Sequence, residues 1–118
     1  MDWLWVAMGG ALGSVARFGV GRLARMVGGT LMAGAVPLGT LIVNVVGCFF
    51  AGVLGARGLQ GSPFLMTGVL GGFTTFSAFG LETWQIGQLI GPGAAALNVA
   101  VQLIAGLAGV GLGTLTRS

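Results

Sequence analysis

Residues 71–77 read Gly71-Gly72-Phe73-Thr74-Thr75-Phe76-Ser77, and they sit inside an uncharged run of 24 positions, 58–81. A run of that length is apolar enough to cross a bilayer, which takes about 20 residues of helix. Yet two glycines followed by two β-branched threonines weaken a helix at its middle. Interrupted backbone at membrane depth survives only when it is buried in protein or faces a water-filled cavity. Such interruptions also expose carbonyls and amides that can hold ions. A kinked helix that uses small residues for packing is the plainer reading of the same stretch.

The flanking sequence supports a membrane setting. Of 118 residues, 55% are hydrophobic and only 6% charged, and the mean hydropathy is +1.01. Soluble domains carry roughly a quarter charged residues, so five Arg and two acids cannot cover a soluble surface. Residues 3–16, 26–56 and 83–116 are also free of charge. The two longest runs break at Gly28-Gly29-Thr30 with Pro37, and at Gly91-Pro92-Gly93, which are turn and helix-start signals. The reading is an all-α membrane protein, one domain over 1–118. Its four transmembrane helices run at about 3–26, 38–56, 63–89 and 94–116, the third broken mid-membrane. Trp3, Trp5 and Trp84 suit the membrane interface. Gly9/Gly13, Gly68/Gly72, Gly87/Gly91 and Gly109/Gly113 place paired small residues on single helix faces, which predicts close helix packing.

Composition excludes most enzyme chemistry. There is no His, Lys or Tyr, and the only acids are Asp2 and Glu82. His-based acid–base catalysis, Lys Schiff bases and paired-carboxylate hydrolysis are therefore absent. Cys48 is alone, so it forms neither an intrachain disulfide nor a thiolate cluster. Five scattered Arg make no nucleic-acid patch. The chain is not read as an enzyme; transport or a structural membrane role remains.

Charge also speaks to orientation. With the N-terminus on one side, Arg57 and Arg117 share that side, while Arg22 and Arg25 lie opposite. The positive-inside bias that fixes topology is nearly balanced, which predicts insertion both ways. Four short helices leave little room for an internal pore, so a pore calls for a second copy.

Polar groups in hydrocarbon are costly and mark candidate functional positions. Asn44 falls mid-way along the second helix, with Thr40 one turn earlier on the same face. Its amide can hold helices together or donate to a ligand. Phe76 and Phe79 share a face, as core, lipid contact or electropositive ring edges toward an anion, with Ser77 between them. Asn98 and Gln102 form a polar track on the fourth helix. Arg17 needs a counter-charge or a wet vestibule, and Glu82 is the intramembrane acid available to it. Donors and one cation outnumber carboxylates, a balance suited to a small anion.

Three stretches together resemble the Fluc/CrcB family of fluoride channels: Gly9 through Arg17, Gly39 through Gly47, and Gly68 through Phe79. The resemblance covers nearly the whole chain. It implies a bacterial inner-membrane, antiparallel, dual-topology homodimer that exports fluoride passively through two pores built from both subunits. Carried onto matching positions, Asn44 would donate to fluoride with Thr40 nearby. Phe76 and Phe79 would form an aromatic ladder beside the Ser77 hydroxyl. The carbonyls of Gly71 and Thr74 from both subunits would hold a structural sodium, Na+, at the dimer centre. Arg17 would lie in the vestibule and Glu82 near the other pore end. The partners implied are fluoride, membrane lipid and a second copy, with no nucleic acid. Two features depart from the family pattern: Asn98 and Gln102 stand in the fourth-helix polar track where Tyr and Ser are common, and Ala78 stands where Thr is common.

Two other classes bear comparison. A small dual-topology multidrug exporter would need an acid in the first helix, where this chain has Arg17. A purely structural subunit would need neither a broken third helix nor a polar track.

Overall fold

The computed structural model describes residues 1–116, so Arg117, counted above toward orientation, lies outside the described residues. Four segments are long and apolar enough to cross a membrane: Asp2–Met26, Leu38–Ala56, Pro63–Leu89 and Pro92–Thr114. The molecule measures 45 × 30 × 22 Å, its long dimension matching the roughly 40–45 Å of a bilayer with headgroups.

The first helix, α1, spans Asp2–Met26, and α2 spans Leu38–Ala56. Between them two strands, β1 (Thr30–Leu31) and β2 (Val36–Pro37), pair antiparallel. Among the described residues the regular structure is otherwise helical, and the hairpin's connection places Met32 and Ala33 at positive φ.

The third segment has several parts. Ser62 caps its start, its Oγ accepting from Leu65 N at 3.1 Å, and Pro63 occupies the first turn, where its missing N–H costs nothing. Pro63–Leu70 then winds as a wide π-helix, and Gly71–Phe73 (α3) returns to α geometry. Thr74 and Thr75 are extended, with ψ of 160° and 119°. Helix α4 restarts at Phe76 and runs to Leu89. The π-helical winding is not foreseeable from residue pattern.

The fourth helix, α5, spans Pro92–Thr114, two residues earlier at both ends than the sequence pattern suggests. Its start is set by Gly91, whose φ of 143° reverses the chain where few side chains fit, followed by Pro92 pre-set for a first helical turn.

Packing follows the glycines. An added Cβ on Gly9 or Gly13 of α1 would strike the backbone of Phe64 or Val69, and one on Gly72 would come within 2.6 Å of the Gly10 carbonyl. Gly109 and Gly113 of α5 press likewise on the α2 backbone at Val45 and Phe49. Three of the four expected pairs therefore sit at helix interfaces. Gly87 has only ordinary contact with Ala95, and its partner Gly91 serves the turn instead.

The buried apolar set is small: Ala24, Ala35, Val36, Val43 and Ile86. Most large apolar side chains point outward, Trp3, Phe18, Phe76 and Leu107 among them, as expected where lipid or another helix is the solvent. Because backbone approach holds the bundle, Gly13→Val should destabilise by about 1–3 kcal/mol or more through overpacking. Gly19→Ala, at a position with open space around it, should be tolerated. Thermal denaturation of the two variants in detergent measures the difference; equal midpoints would contradict the packing account.

Candidate anion pathway at the helix interruption

The interruption at Thr74–Thr75 costs helical hydrogen bonds, and side chains replace them. Asn44 of α2 does the most. Its Oδ1 accepts from Thr75 N at 2.8 Å and its Nδ2 donates to Thr75 O at 3.0 Å. One carboxamide thus matches both polar groups of one residue, as a neighbouring strand would. Thr75 in turn caps α4, its Oγ1 accepting from Ala78 N at 3.1 Å, which replaces an orphan partner at a helix N-terminus. Thr74 donates its hydroxyl back to Leu70 O at 2.9 Å.

These bonds divert donors from particular carbonyls. In an α-helix each carbonyl accepts from the N–H about four residues on. For Gly71 that is the N–H of Thr75, now bound to Asn44; for Thr74 it is the N–H of Ala78, now bound to the Thr75 hydroxyl. The Gly72 carbonyl, between them, accepts from Arg17 Nε at 3.0 Å. Arg17 therefore takes a carbonyl as partner, and not the Glu82 carboxylate suggested by elimination of other acids. Glu82 instead accepts from the Thr40 hydroxyl at 2.5 Å.

Two concavities meet at the interruption. The first, about 450 Å³, is lined by residues that include Asn44, Gly71, Thr74, Phe76, Phe79 and Gln102. None of its lining residues is charged. The Phe76 and Phe79 ring centroids are 5.7 Å apart with planes at 49°, and Phe76 is 82% exposed on the single chain. The second concavity, about 350 Å³, holds Arg17, Arg25, Thr40, Ala78 and Glu82. Thr75 lines both, so the residue clamped by Asn44 is the partition between them.

The sequence-derived site residues thus fall into four places. Asn44, Phe76, Phe79, Gly71, Thr74 and Gln102 share the first concavity, while Thr40, Arg17 and Glu82 share the second. Ser77 lies outside both, exposed, with its Oγ 3.4 Å from Thr75 Oγ1. Asn98 is fully buried behind the first concavity, donating to Thr83 Oγ1 at 2.9 Å. Sequence reasoning missed Thr83 and the double use of Thr75. A hydroxyl on α4 at helical spacing from Phe79 was the available signal for Thr83.

Known proteins share this chain's pattern over most of its length. Residues 4–114 match the family described as CrcB-like protein, Camphor Resistance (CrcB). A fluoride-specific ion channel FluC of Paracoccus denitrificans is 55% identical over 94 residues, covering 73% of this chain and 72% of the relative. Proteins of the same description in Cereibacter sphaeroides and Helicobacter acinonychis are 46% and 48% identical. The first of these two alignments covers 91% of this chain and 86% of the relative; the second covers 72% and 70%. A match over residues 4–114, which takes in all four apolar spans, makes this chain a multi-pass membrane protein that belongs to the CrcB family.

Proposed function

We propose that the chain is a fluoride-selective channel that lets fluoride leave the cell passively. The observation that carries this reading is the uncharged groove beside the interruption. Its polar lining residues include the amides Asn44 and Gln102, and the aromatic residues Phe76 and Phe79 line it with them. The close relatives are described as fluoride-specific channels, which agrees with that chemistry.

Fluoride is small and strongly hydrated, so a narrow path must replace its water with strong donors. Asn44 keeps one amide hydrogen beyond its bond to Thr75, and the edges of Phe76 and Phe79 present partial positive charge. The Ser77 hydroxyl, 3.4 Å from Thr75 Oγ1, adds a donor beside the partition, and Thr40 lines the second concavity with its hydroxyl hydrogen given to Glu82. Arg17 and Arg25 give the second concavity a positive character that would gather anions at its mouth. The Thr40–Glu82 bond partly occupies the Glu82 carboxylate there. Conduction also requires that no site hold the ion too tightly, a demand met by spreading single donors along a path.

A second, antiparallel copy would complete the site. The groove is open on one side, and the exposed Phe76 ring needs a partner surface to become a pore wall. Near-balanced Arg counts favour insertion both ways. In such a dimer the interruptions of both copies would meet near mid-membrane. The Gly71 and Thr74 carbonyls, relieved of their helical donors, fit an oxygen-ligated sodium ion there. Such an ion supplies a fixed positive charge beside the anion path.

Protein reconstituted in liposomes should release fluoride without nucleotide or a proton gradient and release little chloride, as read with ion-selective electrodes. Release that depends on an imposed proton gradient would refute the channel. Asn44→Asp, which replaces a donor amide by an acceptor when ionised, should abolish flux per folded protein. Gly71→Val should be severe and Thr74→Ser mild, because the latter keeps both carbonyl and hydroxyl; sodium-dependent thermal stability separates them. Several Arg added after Ser118 should force one orientation and silence the channel, with activity restored by mixing in an oppositely biased variant.

A further inference from the structure

The hairpin that joins α1 to α2 has two unlike sides. Toward β2 it is built into the bundle: Ala35 and Val36 are buried, and a Cβ on Gly34 would stand 3.5 Å from Ile90 Cδ1, just past the end of α4. Toward β1 it faces outward. Leu31 and Met32 are exposed, as are Met26 and Val27 where α1 ends. Because α1 and α2 are each long and apolar enough to cross a membrane, their connection lies at the bilayer boundary. Apolar side chains there either face water or dip among lipid chains, and burial among lipid is favoured.

The turn itself is strained. Met32 and Ala33 follow one another at φ of 55° and 59°, the left-handed region that Gly, Asn and Asp enter most readily. A turn facing water would carry those residues here. Strain of this kind gathers where a surface binds something. The charge beside the turn is of one sign. Arg22 and Arg25 stand exposed near the end of α1, and a Cβ on Gly29 would lie 3.9 Å from Arg25 Cα, so Arg25 adjoins the hairpin. The Arg22 guanidinium lies over the exposed Phe18 ring, 5.9 Å from its centroid, which directs it along the outer flank of α1. Between Asp2 and Glu82 the chain has no acid, and the Glu82 carboxylate accepts from Thr40.

We propose that the β1–β2 hairpin, with Arg22 and Arg25, is a binding surface for anionic phospholipid. Leu31 and Met32 enter among the acyl chains, and the two guanidinium groups hold the headgroup phosphate. Long arginine side chains reach a headgroup from just inside the membrane. Charge and apolarity together select this occupant. A free anion would use the arginines and leave the apolar tip in water. A second copy docked hairpin to hairpin would bring two more arginines to the same place, and like charges repel. The inference does not depend on which ion the protein conducts.

The test uses full-length protein in a neutral detergent, titrated with phosphatidylglycerol, with phosphatidylcholine of the same acyl chains, and with inorganic phosphate. Native mass spectrometry reads bound lipid, and thermal denaturation reads the melting midpoint. Phosphatidylglycerol should bind more tightly than phosphatidylcholine and raise the midpoint. Arg22→Gln and Arg25→Gln should each weaken its binding about fivefold, whereas Arg57→Gln, in the segment after α2, should leave it unchanged. Met32→Asn relieves the turn and removes its apolar tip, so it should hold or raise the lipid-free midpoint while weakening lipid binding about fivefold. Equal binding of the two lipids overturns the proposal, as does an Arg57→Gln loss equal to that of Arg22→Gln. A lower lipid-free midpoint in Met32→Asn, or wild-type lipid binding by that variant, removes the hairpin from the surface. A midpoint shift from inorganic phosphate as large as that from phosphatidylglycerol assigns the arginines to a free anion. Cross-linking between copies of Leu31→Cys in a Cys48→Ala background assigns the hairpin to a contact between copies; either result overturns the lipid surface.

Discussion

The paired hydrogen bonds between the Asn44 carboxamide and the Thr75 backbone allow a membrane-spanning helix to stop and restart. In hydrocarbon there is no water to satisfy a loose peptide group, and each one left unpaired costs several kcal/mol. Asn44 supplies an acceptor and a donor at the spacing of one residue's N–H and carbonyl, so Thr75 can be extended without that penalty. Thr75 then passes the benefit on by capping Ala78 with its hydroxyl. Remove the amide, and the backbone has no reason to leave the helix here.

The polar groups around the interruption take their places from it. Donors diverted to side chains leave the Gly71 and Thr74 carbonyls without helical partners, while Arg17 secures the Gly72 carbonyl between them. The partition at Thr75 separates an uncharged groove from a concavity holding Arg17, Arg25 and Glu82. The two amide systems differ in kind. Backbone holds Asn44 at both its polar atoms, whereas Asn98 and Gln102 are held by side chains, Asn98 by Thr83 and Gln102 by Asn98.

Such a site needs a bundle that does not depend on a large apolar core. Lipid is as apolar as leucine, so helix association here comes from close backbone approach. Gly9, Gly13 and Gly72 hold α1 against the third segment, and Gly109 and Gly113 hold α5 against α2. The outward apolar side chains are then free to meet lipid or another copy. That division explains how a chain with so few buried large side chains can still position polar groups to within hydrogen-bonding distance.

Much of this was legible in the residues. Charge-free runs, turn residues and hydropathy determined four spans, because the bilayer sets the length and the cost of charge. The Gly-Gly-Phe-Thr-Thr stretch marked a weak point in the third span, and Asn44 stood out as polar in an apolar helix. The tertiary structure decided what those residues do to one another. No spacing rule says that a side chain 31 positions away reaches Thr75, that Arg17 takes the Gly72 carbonyl over Glu82, or that Thr83 connects Phe79 to Asn98. Those pairings depend on how α1, α2, α4 and α5 are set against one another. Hydropathy and local propensity act along the chain, whereas a hydrogen bond between helices exists only once packing has brought its two atoms together.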